Sequence, residues 1–361
     1  MVRRGMGRGP SLLAVASSSV PERHLIAVEP STRPAMHAVM VEAVEAAGGT
    51  VVPIEQASAL IFADPAAADA FPNIIGAGPG VEWIQLPYAG IETFQHHLDH
   101  DHTWTCGKGV YAPPVAEWIM AALLTAFRDI PRYVRASSWP EQDGKNLLGA
   151  KLTVLGGGGI TESFMELIGP WGCDVTVVRR STDPVPGAAR TLTTDRLHEA
   201  VADADAVIVA LALTDETRNI VDAETLAAMR SDAWLCNVGR GGHVVTDDLV
   251  TALREGVIAG AVLDVTDPEP LPDGHPLWEL DNCVITPHVG NTPKMGLPLI
   301  ADRVRVNVGR WIAGDELIGP VAVGVTRAVG PGRLALNQAA GGQVSAVLAF
   351  EIAAVRFGCF Q

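Results

Sequence analysis

No run of apolar residues in this chain of 361 residues approaches the roughly 20 that a membrane-spanning helix needs. Paired cysteines are lacking too. The five present, at 106, 173, 236, 283 and 359, are scattered, odd in number and never in a CxxC or metal-type spacing. Three fall in apolar, strand-like runs and read as reduced core residues. Basic charge is scarce: 26 Lys and Arg against 41 Asp and Glu leave a formal net charge of -15. Nucleic-acid binding needs a basic footprint, so that class is excluded, and the acidity reads as simple solubility. The first residues carry Val2-Arg3-Arg4 and then Leu12-Leu13-Ala14-Val15-Ala16, an apolar core too short for a secretion signal. Residues 1–22 are therefore expected to be a disordered extension, and the protein cytoplasmic.

What the chain does have is glycine in a telling place. Leu152-Thr153-Val154-Leu155 runs into four glycines, then Ile160 and apolar residues at helical spacing (Phe164, Met165, Leu167, Ile168). After Gly169-Pro170 comes a second apolar run, Val175-Thr176-Val177-Val178. Strand, glycine turn, helix and strand within about thirty residues are what a dinucleotide-binding βαβ unit requires. In the frame Gly156-x-Gly158-Gly159-Ile160-Thr161 the first two glycines fit, and the backbone through Ile160 is expected to hold a pyrophosphate at the helix N-terminus. Thr161 stands in place of the third glycine and is expected to push the helix outward. The second strand ends in Arg179-Arg180-Ser181, where an NAD-selecting acid usually sits. Arginine pairs well with a 2′-phosphate, so NADP(H) is favoured over NAD(H), the alternative being two solvated surface arginines.

Around this unit, residues 25–28, 50–53, 59–62 and 83–86 read as strands of a smaller front α/β layer, with a helix over 35–47. Residues 115–134 read as one long connecting helix opened by Pro113-Pro114. Downstream, strands are expected at 206–209, 233–236, 259–263 and 283–286, and helices at 192–201, 223–229 and 247–254. The fold class is α/β: a doubly wound parallel-sheet (Rossmann) cofactor domain inserted into a smaller flavodoxin-like substrate domain. The expected boundaries are 23–112 for the first part of the substrate domain and 113–289 for the nucleotide-binding domain. Residues 290–325 return to the substrate domain, and 326–361 form a tail with a helix at 343–357.

Three polar residues follow three of these strands: Arg240 in Asn237-Val238-Gly239-Arg240-Gly241, Glu269 in Asp267-Pro268-Glu269-Pro270, and His288 in Pro287-His288-Val289-Gly290. Strand ends of a doubly wound sheet converge on one crevice, so the three can meet. An arginine grips a carboxylate with two hydrogen bonds, and a histidine trades a proton near neutral pH. A glutamate behind the histidine fixes its tautomer and stabilises its protonated form. Pro87-Tyr88-Ala89-Gly90 also follows a strand, and reads either as an anion-binding backbone turn or as a plain strand-to-helix turn. The run His96-His97-Leu98-Asp99-His100-Asp101-His102 would put His96 and His100 on one helix face, but no further ligand cluster lies nearby, so it reads as a solvated loop and no metal is assigned.

These segments, with Leu263-Asp264-Val265, Pro276-Leu277-Trp278 and Val115-Ala116-Glu117, resemble the D-isomer-specific 2-hydroxyacid dehydrogenase family over residues 24–323. The resemblance implies hydride transfer between a nicotinamide cofactor and a small 2-oxo or 2-hydroxy acid. His288 would be the general acid/base, Glu269 its support, and Arg240 with Ala89 and Gly90 the substrate-carboxylate site. Asp264 would orient the nicotinamide carboxamide, and Thr214 and Val238 would touch the cofactor. The arginine segment resembles NADPH-dependent glyoxylate or hydroxypyruvate reductases, and the 113–134 region a homodimer-forming element. Ala212 departs from the family's usual proline. The rival reading is a catalytically idle, cofactor-sensing binding protein on the same fold, similar to the corepressors.

Overall fold

Two parallel sheets account for every strand that the computed structural model describes, over residues 20–322. Most of the extension assigned to 1–22 and the whole 326–361 tail, with its helix at 343–357, lie outside the described residues. In the front sheet β1 (Leu25–Glu29) pairs with β2 (Thr50–Val51) and β3 (Ala59–Phe62), followed outward by β4 (Trp83–Gln85) and β5 (Thr103–Thr105). The order β2-β1-β3-β4-β5 is the flavodoxin-like one. All four residues of β3 are buried, as expected for a strand covered on both faces.

The second sheet is built around β6 (Lys151–Leu155). On one side lie β7 (Asp174–Val178) and β8 (Arg190–Leu192). On the other lie β9 (Ala206–Val209), β10 (Trp234–Asn237), β11 (Gly260–Leu263) and β12 (Cys283–Ile285). The order β12-β11-β10-β9-β6-β7-β8 reverses direction between β6 and β9, the topological switch point at which such sheets bind ligands. The Ala112–Phe127 helix crosses from the front sheet and packs on the Gly159–Ile168 helix in one core, burying Ile119, Leu123 and Phe127 beside Phe164 and Ile168. The Pro293–Ala313 helix returns to the front sheet, where Ile300, Val304 and Trp311 pack with Met40 and Val44 of the Pro34–Ala46 helix. Buried Asn307 ties it down, donating to Gln85 Oε1 at 2.8 Å and to Ile318 O at 2.9 Å.

Four sequence expectations need correcting. The connecting helix is not continuous over 115–134: it ends at Phe127, Asp129 is left-handed with φ 50°, and a second helix spans Ile130–Arg135. Pro131 carries no N–H for the carbonyl of Phe127, which instead accepts from Lys145 N at 2.7 Å. Residue 192, expected to start a helix, closes β8, and the α-helix begins only at Leu197. The edge strand β5 had no predicted counterpart. Around the histidine run the chain forms a short 3₁₀ helix, Glu92–His97, so His96 and His100 share no α-helical face. His97 is half-buried against Phe71, and His102 bonds Asp99 at 2.8 Å. Among the described residues no group of three or more His, Cys, Asp or Glu is placed to hold a metal ion, and no helix is long and apolar enough to cross a membrane.

Candidate active site

At the switch point the backbone approaches itself so closely that side chains are excluded. Gly156 has φ 115°, and a Cβ there would lie 2.6 Å from the carbonyl oxygen of Ala210, just beyond β9. Only glycine satisfies both conditions. Gly158 is the N-cap of the Gly159–Ile168 helix, offers no side-chain cap, and has no heavy atom near the position of a Cβ. The first N–H groups of that helix are thus free of a cap and reachable over a bare residue, an arrangement that fits a pyrophosphate. Thr161 is fully buried and donates from Oγ1 to Gly156 O at 2.7 Å, so the residue expected to disturb the helix also ties it to the turn. Arg179 folds back over the turn: a Cβ on Gly157 would meet its Cδ at 2.9 Å. Arg180 is exposed, and Ser181 Oγ donates to Asp183 at 2.8 Å. Thr214 is exposed, its N–H held by Thr217 Oγ1, while Val238 is buried and bonds Val209 O through its N–H.

The loops after β10, β11 and β12 converge as strand ends of one sheet must. Gly241 lies flat on the backbone at Thr266, where a Cβ would come within 1.9 Å of the carbonyl oxygen. This presses the Arg240 turn against the segment leading to Glu269. Glu269 Oε1 lies 2.7 Å from His288 Nδ1, and both side chains are about half exposed, so His288 is no satisfied core histidine. His288 has φ 52°, a left-handed conformation that costs a non-glycine residue of order 1–3 kcal/mol.

Asp264 supplies the restraint. Its buried carboxylate accepts from Thr286 Oγ1 at 2.6 Å and Val289 N at 2.8 Å on Oδ1, and from Gly290 N at 2.8 Å on Oδ2. Its main-chain oxygen accepts from His288 N at 2.8 Å. One residue therefore grips the histidine loop on both sides of the histidine.

Arg240 is exposed, and its Nη1 donates to Gly239 O at 2.8 Å. Among the described residues its side chain makes no hydrogen bond or ion pair with Glu269 or His288. Its main-chain N–H donates to Nδ1 of fully buried His243 at 3.1 Å. Burial lowers the His243 pKa, as do the Arg240 and Arg218 charges, against backbone contacts with Ala212 and Arg240 that raise it. Sequence reading missed His243, although its place three residues after Arg240 in a glycine-rich turn was a usable signal. In the front sheet, Ala89 and Gly90 lie in the loop after β4; the loop is fixed at Pro87 by the Tyr111 hydroxyl at 2.8 Å, and Tyr88 stands exposed beside them. The two halves meet where a Cβ on Gly159 would lie 3.4 Å from Gly109 Cα.

Comparison with known proteins fits this geometry. The family model for the D-isomer specific 2-hydroxyacid dehydrogenase, NAD binding domain, matches residues 118–290. The human glyoxylate reductase/hydroxypyruvate reductase is 33% identical over 231 residues, 60% of this chain and 69% of the relative. The chain belongs to the D-isomer specific 2-hydroxyacid dehydrogenase family. Members are NAD(P)-dependent oxidoreductases of 2-hydroxy and 2-oxo acids, and this chain is an enzyme of that type. An uncharacterized protein encoded in the proB 3′ region of Corynebacterium melassecola is 40% identical over 251 residues, 67% of this chain and 83% of that protein. A D-isomer specific 2-hydroxyacid dehydrogenase from Xanthobacter autotrophicus Py2, crystallised with NADPH and MES, matches with a TM-score of 0.71 at 25% identity, covering 83% of this chain and 98% of that one.

Replacing Asp264 by Ala leaves the Thr286 hydroxyl and two backbone N–H groups without their acceptor. It is expected to lower stability by roughly 2 kcal/mol or more and to speed amide exchange at Val289 and Gly290. A thermal melt and hydrogen-exchange mass spectrometry read both, and unchanged exchange across 286–290 would show that the loop is held by something else.

Proposed function

We propose that this dehydrogenase reduces small 2-oxo acids to D-2-hydroxy acids with NADPH, as a glyoxylate/hydroxypyruvate reductase-like member of its family. The observation that carries the reading is the 2.7 Å contact of His288 Nδ1 with Glu269 Oε1 at the strand ends beside the glycine turn. With Nδ1–H donating to the carboxylate, Nε2 is the ring position left to give a proton to a carbonyl oxygen or to take one from a hydroxyl. Glu269 fixes that tautomer and stabilises the imidazolium. Arg240 is the partner of the substrate carboxylate, with the Ala89 and Gly90 backbone on the opposite side.

A nicotinamide cofactor held there would supply the hydride for reduction and accept it in oxidation. Gly156, Gly158, Gly159 and Ile160 are the residues that would hold the pyrophosphate, with Thr214 and Val238 bordering the rest of the cofactor. A carboxylate offers about four lone-pair positions. Three on Asp264 are taken by the histidine loop, which leaves one on Oδ2 for the carboxamide of the nicotinamide. Arg179, laid over the turn at Gly157, with Arg180 and Ser181, forms the 2′-phosphate site that favours NADP(H).

The segment after the break at Asp129 supports self-association. Val134 is 78% exposed and Trp139 90% exposed, costly positions for such side chains in a free monomer. A second copy of the chain is the proposed cover, in keeping with a homodimer through the connecting helices.

Three outcomes test these assignments. Absorbance loss at the nicotinamide band with glyoxylate or hydroxypyruvate is expected, and His288→Asn should cut kcat by about 100-fold or more; near-normal turnover would remove His288 from the chemistry. Arg179→Ala should weaken NADPH binding by roughly tenfold and leave NADH binding nearly unchanged; equal losses would end the 2′-phosphate assignment. Light scattering should report a dimer that Trp139→Asp with Val134→Asp converts to monomer, and a wild-type monomer would refute the proposed interface.

A further inference from the structure

A cavity of about 410 Å³ opens where loops at the carboxyl ends of both sheets come together. Arg33 and Met36 reach it from the loop and helix after β1, Tyr88 from the loop after β4, and Tyr111 from the crossing after β5. Asn291 and Leu297 reach it from the return segment after β12. The cavity is lined by none of Arg240, Glu269 and His288, but it neighbours both halves of the proposed site along the chain: Tyr88, which lines it, adjoins Ala89 and Gly90, and Asn291, which also lines it, is three residues beyond His288. At roughly 30 Å³ per water in the liquid, it has room for about fourteen waters, far more than the side chain of glyoxylate or hydroxypyruvate fills.

Its walls are apolar at Met36, Leu297 and the tyrosine rings, and cationic at one place. Arg33 is the N-cap residue of the Pro34–Ala46 helix, which starts with no side-chain cap, so the positive helix end and the guanidinium lie together. The nearby acid pairs with Arg33 electrostatically but takes no hydrogen bond from it. Asp64 Oδ1 is 3.8 Å from Arg33 Nε, beyond hydrogen-bond distance. The Asp64 oxygens are already engaged, Oδ2 by the Thr32 hydroxyl at 2.7 Å and Oδ1 by Ala66 N at 3.0 Å. Among the described residues, Arg33 donates one hydrogen bond, a long one of 3.4 Å to the Tyr88 hydroxyl. A guanidinium has five N–H donors in a planar fork that matches a carboxylate. The remainder of that fork is therefore available at the cavity.

We propose that the preferred substrate is a 2-oxo dicarboxylate whose side chain lies in this cavity and whose distal carboxylate pairs with Arg33. The assignment rests on the reductase reading above and names the substrate class of that same site. It separates two carboxylate partners by position: Arg240 for the carboxylate next to the carbonyl, Arg33 for the one at the other end.

The test compares 2-oxoglutarate with 2-oxopentanoate, which has the same carbon chain without the second charge, in the wild type and in Arg33→Gln and Arg33→Lys. The wild type is expected to favour 2-oxoglutarate in kcat/KM by roughly tenfold or more, as a charge-assisted hydrogen bond allows. Arg33→Gln should bring the ratio to near one. Arg33→Lys, which keeps the charge but loses the fork, should give an intermediate ratio. Because each variant is its own control, a general loss of activity leaves the ratio readable. Equal or better use of 2-oxopentanoate by the wild type, or a ratio unmoved by Arg33→Gln, overturns the dicarboxylate assignment and leaves the reductase standing. No turnover of any 2-oxo acid with either cofactor overturns the reductase reading and this inference together.

Discussion

The arrangement at the candidate site hangs on one buried carboxylate. Burying an anion is costly unless hydrogen bonds replace its water, and Asp264 meets that cost with three donors from a single loop. The same bonds hold His288 at a positive φ that the residue would not adopt unaided. Desolvation, strain and placement of the histidine are thus aspects of one local structure. Asp264 in turn sits directly after β11, where its own N–H donates to Asn237 O at 3.0 Å. The histidine loop is therefore fixed against the centre of the sheet rather than against solvent-exposed chain.

Backbone contact plays the matching part at the switch point and beneath Arg240. Gly156 against Ala210, and Gly241 against Thr266, bring main chain onto main chain with no side chain between. Contacts of that kind set the spacing of neighbouring loops to within a few tenths of an ångström. Proton transfer and carboxylate recognition both demand such tolerance.

Much of this was legible in the sequence where the signal was local. Glycine turn, strand runs and helix periodicity placed β6, β7 and β9 through β12 within a residue or two, because each is a buried apolar run bounded by turn residues. The misses share a physical cause. Strands β5 and β8, Thr103-Trp104-Thr105 and Arg190-Thr191-Leu192, lack the apolar run that marks the equally short β12, and owe their conformation to a neighbouring strand. The break at Asp129 was hidden by apolar residues that kept helical spacing through Ile130 and Val134, although Pro131 contradicted it. Glu269 and His288 could be paired on the convergence of strand ends. The grip of Asp264 on residues 286–290 could not, since it joins groups 22 to 26 positions apart by geometry alone. Arg33 escaped notice because the strand-end rule, applied after β4, was not applied after β1.

The chain passes between its two sheets twice, through the Ala112–Phe127 helix and through the segment after β12, and the passages run side by side. A Cβ on Gly290 would lie 3.6 Å from Val115, and one on Gly296 3.1 Å from Tyr111. Two adjacent covalent links resist sliding and twisting but leave one soft rotation, like the paired leaves of a door hinge. His288 lies two residues before Gly290, and Arg33 and Tyr88 share a cavity with Tyr111 and Asn291 of the two passages, so any such rotation would turn about a line that runs beside both the histidine and the cavity.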